Sequence, residues 1–345
     1  MEAEMYDVIV AGAGPCGCTA AKILAEKGMR VLLAEQRSLP RYKSCSGVLI
    51  RKSLNLVQKL FGEAVPDTAF CAPAQNRGMV FTDDRGRSFV FEQEGRNVWR
   101  SAFDGWLAEK ARAQGVQLAD GTLVAGCEEN GKFVSVELRG KKNGTENAKY
   151  VLDCGGCVSV LKNRLTRGAG DYITTYQTFS DGKIDLDPHY FYAYLQPELS
   201  EYDAWFNVKD NRLVLGVAVK NTEKTGAYYE RFLAYMRRNH GLSIEKQLRE
   251  ERWRMPRILP GCAVDFGSGR VLYAGEAAGF LNPMGEGISS GMESGYLAAC
   301  AVAGHPEEPQ TVLAEYQKSA EPLRSYMVRQ WSLVAGMADT FPEMR

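Results

Sequence analysis

The sequence predicts an α/β fold: a three-layer nucleotide-binding domain with a second, β-rich domain inserted into it. Three observations carry that prediction. A strand-length apolar run near the start of the chain flows into a glycine loop and then a helical pattern. A second strand, glycine loop and helix follow near the end, and the stretch between them is rich in β-branched and aromatic runs bounded by turn residues. The 345 residues suffice for two such domains.

Composition narrows the function classes. Lys plus Arg and Asp plus Glu are both 42, which disfavours a nucleic acid or an anionic membrane held mainly through charge. Hydrophobic residues at 45% can build a sizeable core. The longest apolar stretch, Tyr296 to Gly304, is about half of the ~18 residues a membrane span needs. MEAEMYD carries no apolar signal region, which predicts a cytoplasmic protein with at most peripheral membrane contact. The odd count of nine cysteines argues against a disulfide framework. Three histidines and no HExxH predict no metal site.

Tyr6 to Ala11 (YDVIVA) reads as the first strand and leads into Gly12-Ala13-Gly14-Pro15-Cys16-Gly17. Cys18 to Lys27 is an alanine-rich helix closed by Gly28, and Met29 to Ala34 is the next strand, with Glu35 at its end. In this GxGxxG, Gly12 permits the tight turn, Gly14 lets a pyrophosphate approach the backbone, and Gly17 lets helix and strand pack closely. Glu35, 18 residues past Gly17, is spaced to hold a ribose hydroxyl. This loop fits NAD or FAD. The later series, RVLYA (270–274), Gly275-Glu276-Ala277-Ala278-Gly279 and Asn282-Pro283-Met284-Gly285-Glu286-Gly287-Ile288, favours a flavin. An acid at a strand end suits a ribityl chain, and the amides of Gly287 and Ile288 would face the polar edge of an isoalloxazine.

Together these segments resemble the Rossmann-like FAD-binding superfamily of aromatic hydroxylases, flavin halogenases and geranylgeranyl reductases. DVIVAGAGPCG is similar to its first fingerprint and VLYAGEAAGFLNPMGEGI to its second, with Glu276 in place of the usual aspartate. Gly285-Glu286-Gly287-Ile288 followed by Ser294-Gly295-Tyr296-Leu297-Ala298-Ala299 is similar to the ending of the geranylgeranyl reductase family. RYKSCSG (41–47) resembles its segment beside the flavin, and Arg100 with Phe103-Asp104 resembles RxxFDxxL. The resemblance implies FAD contacts at Gly12, Gly14, Pro15, Gly17, Glu35, Gln36, Cys45, Ser46, Gly47, Arg100, Val124, Gly275, Glu276, Gly285, Gly287 and Ile288. Two segments depart from the pattern. The middle fingerprint ADGxxSxxR appears as Cys154-Gly155-Gly156-Cys157-Val158-Ser159, with Gly155 for the aspartate. YxWxFP retains Trp205, eleven residues before Gly216, but carries Asp203, Asn207 and Val208.

The cysteines allow several readings. Cys154 and Cys157 form a CxxC that suits a redox dithiol, half of a zinc site or simple packing. Cys45 is the catalytic candidate, as a thiol able to shape or gate the flavin pocket or to supply a proton.

In the middle of the chain, MVFTDDRGRSFVF forms a hairpin around Asp84-Arg85-Gly86. Ile173 to Phe179, His189 to Leu195, Ala204 to Val208 and Arg212 to Val219 are further strands, with Asp210-Asn211 turning the last two. By alternation Tyr190, Tyr192 and Tyr194 share one face. Tyr192 and Trp205 are the expected substrate contacts, against the alternative of plain core. Gly226 to Asn239 reads as a helix, ERWRMPR (251–257) as a solvated edge, and 311–345 as one or two amphipathic helices. The predicted division is 1–70, 95–170 and 262–310 for the FAD domain, 71–94 and 171–261 for the substrate domain, and a helical tail.

The resemblance implies a reductase acting on carbon–carbon double bonds of an apolar, lipid or isoprenoid-like substrate, with hydride coming from reduced FAD. The electron donor is NAD(P)H or a donor protein such as reduced ferredoxin. The alternative is an aromatic monooxygenase or halogenase.

Overall fold

The computed structural model describes residues 5–165, 172–256, 264–283 and 285–337. Met284, Arg257 and the expected domain junctions near 170 and 262 lie outside them. From the N-terminus, β1 (Tyr6–Ala11), α1 (Pro15–Glu26) and β2 (Val31–Glu35) form one nucleotide-binding unit. β3 (Val48–Ile50) and α2 (Arg51–Phe61) lead to β4 (Phe70–Thr82) and β5 (Ser88–Val98). There follow α3 (Arg100–Ala113), β6 (Gln117–Asp120), β7 (Thr122–Glu129), β8 (Val134–Gly140), β9 (Gly144–Asp153) and the short α4 (Val160–Leu165). The chain then crosses into β10 (Tyr172–Lys183), β11 (Tyr190–Tyr194), β12 (Ala204–Lys209), β13 (Arg212–Val219), α5 (Thr225–His240) and β14 (Ser243–Pro256). It returns through β15 (Gly267–Ser268), β16 (Val271–Tyr273), α6 (Ile288–Gly304) and α7 (Pro309–Met337).

The first sheet is α/β, as its sequence predicts. Its strands run β15-β16-β9-β1-β2-β6, with β2, β1, β9 and β16 parallel and β7, β8 and β9 forming an antiparallel meander. A parallel strand covered on both faces must be apolar throughout. Accordingly Val8, Ile9, Val10, Leu32 and Leu33 are fully buried in the core that the sheet shares with α1, α3 and α6. The second sheet runs β14-β10-β13-β12-β11-β4-β5-β3 and is antiparallel apart from β11 beside β4. Asp210 and Asn211 take positive φ values of 51° and 61°, the left-handed pair a tight hairpin requires.

Three details sharpen the sequence reading. The second sheet also takes in Val48–Ile50 and the end of β5 through Val98, because β3 pairs with Gly95, Arg96 and Asn97. The charged run before residue 257 belongs to a 14-residue edge strand, β14, paired along β10. Its charges blunt the open edge, and they also hide the strand from a hydrophobic pattern. The tail is one helix, α7, continuous through Pro322. No helix among the described residues is long and apolar enough to cross a membrane.

Candidate functional site

The first loop is shaped by what a side chain would strike. Gly12 has φ +98°, and a Cβ there would sit 2.7 Å from the Cys154 carbonyl oxygen. A Cβ on Gly17 would lie 1.9 Å from the Gly12 carbonyl oxygen, so α1 can meet β1 only through glycine. Gly14 caps α1 with no side-chain hydrogen bond, leaving the helix N-terminal amides for an anion. At the end of β2, buried Glu35 accepts hydrogen bonds from the amides of Ala13 (3.0 Å) and Arg37 (3.1 Å) and pairs with Arg41 (3.0 Å).

Arg41 continues to Asp104, which also takes a two-pronged contact from Arg100, each bond 2.8 Å. Burial alone would push the Asp104 carboxyl up, but the two guanidiniums outweigh it and hold the carboxyl below its usual range. Arg100 reaches in turn to the Cys45 thiol. Burial opposes ionisation of that half-buried thiol, yet Arg100, Lys43, Lys209 and the Gly47 amide hold it below its ordinary value. Lys209 is itself buried, with Nζ 3.4 Å from the Cys45 carbonyl oxygen and 4.4 Å from the Trp99 ring centre.

The middle loop explains its departure from the family pattern. Asp153, at the end of β9, is fully buried, accepts the Gly155 amide at 2.8 Å and bonds the Ser159 hydroxyl. A carboxylate is therefore present at this loop, two residues before Gly155, and it lines the cavity. The two thiols of the CxxC face different partners. Cys157 donates to the Arg254 carbonyl at 2.9 Å, whereas Cys154 lies 3.3 Å from Cys16. No cluster among the described residues could hold a metal ion.

The last loop positions α6. Gly287 caps that helix without a side-chain bond, and a Cβ on it would meet Leu281 and Glu276 at about 3 Å. Glu276 pairs with Lys43 at 3.5 Å. Glu286 accepts the Ser289 amide and hydroxyl, both at 2.7 Å, which fixes the start of the helix.

One cavity of about 450 Å³ joins these parts. Of the residues expected to meet a flavin, Gly12, Gly14, Pro15, Glu35, Gln36, Cys45, Ser46, Arg100, Val124, Gly275, Glu276, Gly285, Gly287 and Ile288 line it. Gly17 and Gly47 stand behind it, and a Cβ on Gly47 would strike the Val98 carbonyl oxygen at 2.2 Å. The second sheet closes the far side with Met79, Phe81, Phe91, Phe191 and Trp205. Gly216 makes room for the indole, since a Cβ there would fall 2.1 Å from its ring.

Tyr192 is a correction. In β11 and β12 it pairs with Phe206, while Ala193 pairs with Trp205. Paired residues share a face, so Tyr192 and Trp205 point to opposite sides of the sheet. Tyr192 packs with Phe206 against the α5 side, its hydroxyl bonded to the backbone of Asp187. Phe191, its neighbour, faces the cavity instead. Alternation puts Tyr190, Tyr192 and Tyr194 on one face, and the register of β11 on β12 decides that this is not the face of Trp205.

The uncapped start of α1, glycines that admit backbone approach and an acid at the end of β2 fit an elongated dinucleotide. Known proteins agree. The family described as FAD binding domain matches residues 5–330. The chain is similar to a digeranylgeranylglycerophospholipid reductase of Methanopyrus kandleri, 26% identical over 336 residues, covering 89% of this chain and 82% of that protein. A geranylgeranyl bacteriochlorophyll reductase-like structure from Thermoplasma acidophilum superposes with a TM-score of 0.81 at 19% identity, over 96% of this chain and 87% of that one. A flavin-dependent brominase reaches 0.75 at 18% identity, over 96% and 89% of the two chains. The two solved structures establish a shared fold. The chain belongs to the FAD-binding-domain family, and it is an FAD-dependent oxidoreductase with geranylgeranyl-type reductases among its relatives.

Proposed function

We propose that this protein reduces carbon–carbon double bonds in an apolar, isoprenoid-like lipid or small molecule. The observation that carries the reading is the continuity of the cavity, which runs from the glycine loops to an aromatic wall of Phe81, Phe91, Phe191 and Trp205. The names of curated relatives support the substrate class. Bound FAD, once reduced by NAD(P)H or a protein such as ferredoxin, supplies the hydride.

The chain's own residues bind, orient and exclude water. Arg41, Glu35 and the α1 amides hold the dinucleotide. Arg100, Lys43 and Lys209 place positive charge around Cys45, with Asp104 and Glu276 paired to the first two. Cys45 closes the cavity on that side, and Trp205 with Phe191 turns an alkene towards it. Contact with a membrane would be peripheral, at the moment of taking up a lipid.

The test is anaerobic. The holoenzyme is reduced with dithionite and mixed with geranylgeranyl-bearing lipid, and flavin absorbance is followed. Reoxidation with formation of the saturated chain supports the reading. Persistent reduced flavin with alkene, together with oxygen-dependent hydroxylation or halogenation of an aromatic, would overturn it.

A further inference from the structure

Reduction of an alkene needs a proton as well as a hydride, and the residues around Cys45 are poorly suited to store one. Three cations favour its ionised form. The start of β12 differs. On β12 the residues Trp205, Asn207 and Lys209 alternate onto one face, and Asp203 immediately precedes the strand. Asp203 and Trp205 line the cavity, whereas Lys209 reaches Cys45. Among the described residues the Asp203 carboxyl has no ion-pair or hydrogen-bond partner; burial alone pushes it up to about 7. The neighbouring Tyr202 hydroxyl is pushed up by burial and by the Asp203 carboxyl beside it. Asp203 is held by backbone, its carbonyl accepting the Ala218 amide at 2.8 Å. The adjacent Tyr202 hydroxyl donates to the Pro283 carbonyl at 2.7 Å, tying this end of β12 to the loop that begins α6.

We propose, resting on the reductase reading above, that Asp203 is the general acid that protonates the substrate double bond. Its O–H bond breaks as a C–H bond forms at the less substituted alkene carbon. Positive charge develops on the more substituted carbon, where the Trp205 ring face stabilises it. The hydride of the proposed reaction, carrying the two electrons released by flavin oxidation, closes that carbon. Asp203, left as carboxylate, regains its proton from water. An acid that still carries its proton in part near neutral pH can make this transfer, whereas a carboxylate paired to a cation cannot.

The experiment compares Asp203→Asn and Asp203→Glu with the wild-type holoenzyme in anaerobic single turnover. Asn is expected to slow alkene-driven flavin reoxidation by about 100-fold or more. FAD content, reduction by dithionite and the substrate-induced flavin spectrum should be unchanged, and Glu should restore part of the rate. In the flavin-free protein, infrared difference spectra should show a carboxyl titrating near neutrality that Asn removes. The proposal is overturned if Asn reoxidises at the wild-type rate, if that carboxyl titrates in the ordinary range, or if Asn weakens only substrate binding. Failure of wild-type flavin to reoxidise with any isoprenoid alkene would instead bring down the reductase reading and this step with it.

Discussion

The glycine-loop wall of the cavity meets its ligand with backbone, while the β12 wall meets it with side chains. In the first, position is set by carbonyl and amide atoms packed within a few ångströms, such as Gly17 against Gly12 and Gly12 against Cys154. In the second, position depends on which face of a pleated strand a residue occupies, as with Trp205 over Gly216. The difference teaches where each wall is vulnerable. A backbone-built site fails when any atom is added, whereas a side-chain-built site changes its selectivity and keeps its cofactor.

The largest effect should therefore come from the smallest addition to the backbone wall. Gly17→Ala places a Cβ 1.9 Å from the Gly12 carbonyl oxygen, and neither α1 nor β1 can retreat through the surrounding core. Overpacking of this kind costs about 1–3 kcal/mol or more. The variant is expected to purify without flavin and to melt earlier, read by absorbance and by thermal denaturation. Full flavin content would break the claim that this wall is rigid.

Next is the ion network that joins the walls. Arg100→Met leaves buried Asp104 with Arg41 alone, and breaking such a pair costs about 3–5 kcal/mol. The sign with pH follows from the carboxyl being held below its unfolded value. Its stabilisation is complete above about pH 4 and is lost as pH falls through the folded value. Removing Arg100 raises that folded value, so acid unfolding should begin at a higher pH than in the wild type. The Cys45 thiol should also lose its largest cationic support. Its alkylation rate at neutral pH, measured on the flavin-free protein, should drop towards that of an ordinary thiol. An unchanged acid limit and an unchanged alkylation rate would detach Arg100 from both groups.

The same contrast governs what the sequence made legible. Glycine spacing is read directly, because each glycine answers a local steric demand, and the FAD domain with its two loops was visible that way. The aspartate of the middle loop escaped because Asp153 stands two residues before the motif position at 155; its bonds to Gly155 and Ser159 tie it to the loop, and linear spacing does not show them. The strand β14 was legible only as a solvated edge, because an edge strand needs charges and those charges break the apolar alternation. Asp203 was seen only as a departure from a motif, since its chemistry comes from burial against residues far away in sequence.

The face of the second sheet gives the sharpest test at the smallest expected effect. Tyr192→Phe removes a hydroxyl that accepts from the Asp187 amide at 3.1 Å and faces the Asp187 carbonyl at 3.3 Å. The ring remains packed with Phe206 on the α5 side. A hydrogen bond of this type contributes about 1 kcal/mol, so the melting temperature should fall by a few degrees. The alkene KM and the FAD content should not move, because no atom of the cavity wall has changed. Phe191→Ala, one residue away, should raise the KM with little change in flavin, because it removes a ring from the cavity side. Were Tyr192→Phe to alter the KM and Phe191→Ala to leave it alone, the pairing of Tyr192 with Phe206 would be off by one residue. Every side chain of β11 would then point the other way, and the two walls would have to be assigned afresh.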